Sequence, residues 1–238
     1  MKAMILAAGL GTRLKPFTDK HPKALAIVNG KTLLERNITY LASHGVTKLI
    51  INVHHFADQI ISFLQANNHF GLDIVLSDEQ QEVLETGGGL QKASWFFDDG
   101  HDFVLMNVDI LTTLNLTEML HYHQQKKALA TLAISGRESS RCFLWDDENR
   151  LCGWRNKASG EEKISRPVES LHEMAFGGIH IIDPALCKYL TQGGKYSIVD
   201  TYLMLAEQHH ICGYDHSDAV LLDVGKPESI VKAESLFP

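Results

Sequence analysis

Apolar positions along the chain fall into short β-type runs separated by stretches of helical spacing, and this alternation predicts the fold. Residues 4–8 form an apolar run bounded by Gly9, the pattern of a buried strand. Leu33, Leu34, Ile38 and Leu41 recur at helical spacing up to Gly45, a helix stop. Residues 48–53 read as a β-branched buried strand, 57–67 as a helix carrying Ile60, Ile61 and Leu64, and 72–76 as another short strand. Residues 87–97 predict a helix that starts at a glycine cluster, and 103–107 an apolar strand leading to Asp109. Next come a helix over 116–126, a strand over 128–134, and a hairpin of 143–145 and 151–154 around a polar turn. Residues 156–170 read as an exposed polar loop, 175–182 as a strand, 196–208 as a helix, 220–224 as a strand and 227–236 as a closing helix.

Strands alternating with helices imply a doubly wound, Rossmann-like α/β fold with a mixed, mostly parallel sheet and ligands at the carboxyl ends of its strands. Gly9 and Asp109 both fall at such ends. The hairpin region adds a small β-rich lobe. No repeat, low-complexity segment or linker interrupts residues 1–238, so one domain is expected.

The run into Gly9 continues as GLGTRLKPFTDKHPKAL, a flexible loop crowded with Arg13, Lys15 and Lys23. Gly9 and Gly11 let the backbone approach a ligand closely, and successive N–H groups there can form an anion-binding concavity. A plain structural turn would need the glycines but not the basic residues. The dinucleotide fingerprint requires a third glycine where Leu14 stands, and the common phosphate loop requires a Gly-Lys-Ser/Thr ending that is absent.

Asp109 follows an apolar strand in LMNVDIL, and Asp223 another in LLDVGKPE. Two carboxylates on one rim could share a hard cation with phosphate oxygens, although a strand-end aspartate can equally cap a turn. In LETGGGLQKA, three glycines before a helix would admit a flat base or a sugar, with the helix N-terminus favouring anions. Adjacent His54 and His55 point opposite ways along a strand, are poor joint metal ligands, and read as structural or as supports for residues of the site.

LAAGLGTRLKPFT followed by HPKAL resembles the GxGTRLxPLT(x)nPKAL signature of the sugar-1-phosphate nucleotidyltransferases. The resemblance spans nearly the whole chain and implies the nucleotide-diphospho-sugar transferase fold, with residues 1–112 as the nucleotide half and 113–238 as the sugar-phosphate half. It implies Mg2+ as cofactor, held by Asp109 and Asp223, with an NTP and a sugar 1-phosphate as substrates. Val108 replaces the family's usual glycine before the aspartate, and Lys226 its usual threonine after DVG.

The attacking phosphate oxygen is already anionic near neutral pH, so no general base is required. Positioning and charge neutralisation dominate instead. On this reading Arg13 and Lys23 are catalytic, the guanidinium fork suiting the β and γ phosphates and the ammonium the α-phosphate. Leu6, Ala7, Ala8, Gly9, Gly11 and Thr12 would hold the nucleotide from the loop side. Glu79, Gln80, Glu85, Thr86 and Gly87 would hold it from the other, the first two being candidates to read the base edge. Asn107 and Gly178 are expected against the sugar phosphate, with a β-bulge as the alternative reading at Gly177-Gly178. Glu162 and Glu169 both lie near a family element that touches sugar hydroxyls.

The LETGGG form resembles the N-acetylmuramate 1-phosphate uridylyltransferase branch, making UTP with a hexosamine 1-phosphate the first expectation and GTP with mannose 1-phosphate the second. A choline phosphate cytidylyltransferase shares the N-terminal signature but not the glycine triplet or the sugar lobe. A catalytically silent nucleotide-binding subunit is the non-enzymatic alternative, disfavoured by retention of Arg13, Lys23, Asp109 and Asp223.

The net charge of −7, with no basic face, argues against nucleic acid. Cys142, Cys152, Cys187 and Cys212 show no CxxC spacing or paired framework, which suits a reducing cytoplasm. No run approaches the roughly 20 apolar residues of a membrane span, and the N-terminal run is too short for a signal peptide. A soluble, unprocessed monomer or small homo-oligomer is expected, without the hexapeptide-repeat tail of acetyltransferase-fused trimers.

Overall fold

The computed structural model describes residues 1–238. The first half runs β1 (Lys2–Leu6), β2 (Ile27–Val28), β3 (Lys31–Thr32), α1 (Leu33–Ser43), β4 (Lys48–Val53), α2 (Ala57–Ala66), β5 (Asp73–Asp78), α3 (Glu85–Ala93), β6 (Phe103–Asn107) and β7 (Ile110–Thr112). It continues with α4 (Leu116–Lys126), β8 (Ala130–Ser135), β9 (Arg141–Trp145), β10 (Leu151–Asn156), β11 (Glu161–Ile164) and β12 (His172–Ile182). The chain ends with α5 (Ile198–Leu205), β13 (Ile211–Asp215), β14 (Leu221–Asp223) and α6 (Pro227–Leu236).

β5, β4, β1 and β6 lie side by side and parallel. β12 follows antiparallel to β6, and β8, antiparallel to β12 and parallel to β13, restores the original direction. The sheet is therefore mixed with a parallel majority at its centre, as the α/β alternation implied. β9, β10 and β11 extend it as an antiparallel lobe.

Side-chain alternation along the central strands assigns the two faces. Ala3, Ile5, Leu49, Ile51, Val104 and Met106 pack with α1, α2 and α4. Met4, Ile50, Phe103 and Leu105 pack with α3 and α5 on the opposite face. A third cluster, including Leu14, Val28, Leu111 and Val224, anchors α6 beneath the loop that follows β1. Local signals begin the helices. Thr32 accepts from Glu35 N–H at α1 in a capping-box spacing, Asn115 caps α4, and Pro227 opens α6. No helix is long and apolar enough to cross a membrane.

Four expectations are corrected. β1 ends at Leu6, opposite Asn52 and Asn107, so Ala7 and Ala8 belong to the loop. The polar stretch 156–170 contains β11, whose charged residues are those an exposed sheet edge tolerates. The expected elements pass from the helix over 196–208 straight to the strand over 220–224, and the structure adds β13 between them.

The fourth correction concerns the glycine triplet, which lies inside α3 rather than before it. A Cβ at Gly87 would stand 2.3 Å from the Tyr196 ring, and one at Gly88 2.1 Å from the Gly194 carbonyl oxygen. These glycines make room for the protein's own chain, not for a base or sugar.

Candidate active site

The segment after β1 is held at its start and open beyond it. Ala7 and Ala8 N–H both donate to Asn52 Oδ1, at 2.6 and 3.3 Å. The N–H groups of Gly9, Leu10, Gly11 and Thr12 make no hydrogen bond within the protein and so remain available to an anion. Gly11 has φ +62°, and a Cβ there would lie 2.8 Å from the Thr18 methyl and 3.0 Å from Lys23 Cβ, so only glycine fits. Its carbonyl accepts from Leu14 N–H at 2.8 Å and Thr18 Oγ1 at 2.9 Å, folding the basic segment back over the sheet end.

That folding carries Lys23 to Asp109. The ammonium pairs with Asp109 Oδ2, and both side chains are largely shielded from solvent. Asn37 Nδ2 donates to the Val108 carbonyl at 2.7 Å from α1, and Val108 N–H donates to Leu6 O at 3.1 Å, which fixes the turn preceding Asp109.

The β7–β14 ribbon brings in Asp223, which pairs with Ile110, while Val224 N–H donates to Asp109 O at 2.7 Å. Asp223 Oδ2 lies 3.6 Å from Arg13 Nη2, and its Oδ1 is buried without a hydrogen-bond partner. Two hard carboxylates thus come together, Asp109 from the turn between β6 and β7 and Asp223 from β14, the latter with an orphaned buried oxygen, and no third acidic, His or Cys ligand joins them. Such a donor set fits Mg2+, which commonly takes one or two carboxylates and fills its remaining positions with water and phosphate oxygens.

A cavity of about 340 Å3 opens at the carboxyl ends of β1, β4 and β6. Of the residues singled out from sequence, Leu6, Ala7, Ala8, Gly9, Lys23, Glu79, Glu85, Thr86, Asn107 and Asp109 line it. Gly11, Thr12, Arg13 and Asp223 lie outside its wall; Arg13 is tied to Asp223 and so to the Asp109 turn. Gly178, at φ +75°, backs the wall, because a Cβ there would stand 3.0 Å from Asn107 Nδ2. Gly87 is buried against Tyr196, and Gln80 is exposed with its N–H bonded to Asp78. Glu162 is engaged by Arg155 on the exposed strand β11, and Glu169 is exposed; neither lines the cavity.

Glu79, a candidate to read a base edge, is 1% exposed and its carboxylate is bonded to Asn52 Nδ2 and Leu84 N–H. Asn52, Val83, Val108 and Ser197 line the cavity without having been singled out. For Asn52 a signal existed: an amide in the apolar run LIINV has no reason to be buried unless it bonds something.

A doubly wound α/β sheet, with an open N–H loop, two cations and two carboxylates gathered at its carboxyl edge, defines a protein built to handle phosphate esters. The chain belongs to the nucleotidyl transferase family, which matches residues 2–237, and it is an enzyme of the sugar-1-phosphate nucleotidyltransferase type. It is 30% identical over 242 residues to the N-acetylmuramate α-1-phosphate uridylyltransferase of Caulobacter vibrioides, covering 98% of this chain and 95% of that protein. It is 32% identical over 214 residues to the UTP–glucose-1-phosphate uridylyltransferase of Synechocystis sp., covering 83% of this chain but only 53% of that longer protein. Among solved structures, HddC from Yersinia pseudotuberculosis complexed with GMP-PN superposes with a TM-score of 0.77 at 22% identity, covering 100% of this chain and 99% of that one.

Proposed function

We propose that the chain joins UTP to N-acetylmuramate 1-phosphate or another hexosamine 1-phosphate, with Mg2+, releasing pyrophosphate and a UDP-sugar. The observation that carries this reading is the convergence of Ala7 to Gly9 after β1, Lys23, Asn107 and Asp109 on one cavity. The uridylyl choice is supported by the LETGGG stretch and by likeness to the Caulobacter uridylyltransferase along nearly the full length of both chains.

In this reading the N–H groups of Gly9 to Thr12 and the Arg13 fork hold the β and γ phosphates. Lys23 moves from Asp109 to the α-phosphate. The sugar phosphate oxygen attacks the α-phosphorus as the bond to the pyrophosphate oxygen breaks, and no proton need be removed. Asp109 and Asp223 would hold Mg2+, which when bound supplies positive charge to phosphate oxygens. Residues 1–112 serve mainly the nucleotide and 113–238 mainly the sugar phosphate, with Asn107 and Gly178 at the border between them. The enzyme is taken to act in the cytoplasm as a monomer or small homo-oligomer, in keeping with its four free cysteines.

The test is pyrophosphate release from each of the four NTPs against a panel of sugar 1-phosphates. The highest kcat/KM is expected for UTP with a hexosamine 1-phosphate. A preference for GTP with mannose 1-phosphate would replace the substrate assignment, and no release from any pair would overturn the activity.

A further inference from the structure

Asn52 stands where three strands meet the cavity. On β4 it is opposite Leu6 of β1 on one side and Ser77 of β5 on the other. Its side chain is 2% exposed and uses both ends. Oδ1 accepts from Ala7 and Ala8 N–H, the start of the phosphate-side loop. Nδ2 donates to Glu79 Oε1 at 2.8 Å. Glu79 carries the connection onward, its Oε2 accepting from Leu84 N–H at 3.1 Å immediately before α3. His54 Nδ1–H donates to the Glu79 carbonyl at 2.7 Å and holds that backbone in place.

α3 is docked on this pair. A Cβ at Gly89 would stand 2.9 Å from Glu79 Oε1 and 3.0 Å from Asn52 Nδ2, so the third glycine of the triplet exists to let the helix rest on the amide–carboxylate contact. α3 supplies Glu85 and Thr86 to the cavity wall facing Leu6 to Gly9. One buried hydrogen-bonded chain therefore runs from the phosphate-side wall to the opposite wall.

We propose that Asn52 and Glu79 are positioning residues that set the width of the nucleotide cleft by coupling the loop after β1 to α3. The proposal rests on the nucleotidyl-transfer reading and adds a specific consequence: disturbing the pair weakens the nucleotide without weakening the sugar phosphate. Neither side chain need touch the reacting atoms.

The donor and acceptor pattern can be inverted without changing shape. Asn52→Asp sets two carboxylates against each other in a buried site. Glu79→Gln keeps one bond but turns an amide N–H2 toward a donor, either Leu84 N–H or Asn52 Nδ2. With both changes, Asp at position 52 accepts from Ala7, Ala8 and the new Gln amide, whose oxygen accepts from Leu84. Every bond is restored.

The experiment measures UTP affinity by isothermal titration and KM for each substrate by pyrophosphate release, with thermal melts confirming that each variant is folded. Each single substitution is expected to raise the UTP Kd and KM by about tenfold or more, the scale of one unsatisfied buried polar group. The KM for the sugar 1-phosphate should stay within about twofold, and the double variant should recover most of the UTP affinity. Folded single variants with unchanged UTP affinity, equal losses for both substrates, or a double variant no better than the singles would each overturn the proposal. Wild-type protein that turns over no NTP would fail the functional reading first, and this inference with it.

Discussion

Lys23 Nζ and Asp109 Oδ2 form an ion pair between positions 86 residues apart, with side-chain exposures of only 12% and 15%. The lysine proposed to bind the α-phosphate thus neutralises the carboxylate proposed to bind metal. A divalent ion approaching Asp109 must displace the ammonium, and an NTP phosphate gives that ammonium another anion. Mn2+ binding followed by electron paramagnetic resonance should therefore be weak for the protein alone and tighten at least tenfold with a non-hydrolysable NTP. Lys23→Met should bind Mn2+ more tightly than wild type without nucleotide. Because a close pair in a partly buried site is worth up to about 4 kcal/mol, a tenfold change, about 1.4 kcal/mol, is a low threshold. Equal metal affinities in the two proteins would remove Asp109 from the metal site.

Gly225 tests the other half of the charge cluster. A Cβ at this position would lie 2.6 Å from Asp223 Oδ1 and 2.7 Å from Arg13 Nη2. Gly225→Ala should push both groups aside without touching the core, lowering kcat by about 100-fold, as misplacements near 1 Å can. The thermal midpoint should barely move. Unchanged turnover would mean that the Arg13–Asp223 arrangement is not used in catalysis.

Glycines of two kinds separate by where their missing side chains would go. Gly88→Ala drives a methyl against the Gly194 carbonyl and should cost about 1–3 kcal/mol in denaturant unfolding, despite alanine's better helix propensity. A Cβ at Gly9 meets nothing within 4 Å, so Gly9→Ala should alter stability by less than about 0.5 kcal/mol while raising the KM for NTP. Stability losses in the reverse order would contradict the packing described for α3.

The legible parts of the chain were those that local chemistry determines. β4, β6 and α4 fall where periodicity placed them, because each carries a full-length apolar pattern with clear ends. β14 falls within the strand expected over 220–224, whereas β7, three residues directly after Asp109, is too short for a period and is defined only by its pairing with β14. The role of Gly87 to Gly89 depends on Tyr196, Gly194 and Glu79, contacts that no window around the triplet contains. In the site, Lys23 was legible as a charge in the basic loop after β1 and Asp109 as a charge at a strand end. Asn52 was legible only as an amide in an apolar run; its role was not, because its partners, Ala7 and Ala8 on one side and Glu79 on the other, come from two separate segments.

Acid stability supplies the last test. His180 is wholly buried, its Nδ1 2.8 Å from the Tyr202 hydroxyl, and desolvation pushes the imidazole down to about 3. An unfolded histidine titrates near 6.5. Above that value both states hold His180 neutral and its contribution to stability is fully present. As pH falls from about 6.5 toward 3, the unfolded chain takes up a proton that the folded chain refuses, and stability is lost at up to about 1.4 kcal/mol per pH unit. His44, His210 and His216 are also lowered by burial, so a variant is needed to isolate the effect. His180→Leu combined with Tyr202→Phe removes the polar pair together, so that the Tyr202 hydroxyl is not left behind without its partner. Urea unfolding at pH 7.5 and pH 5.5 should show a smaller loss of stability in the double variant than in wild type. Equal losses would mean that protonation of His180 does not oppose folding.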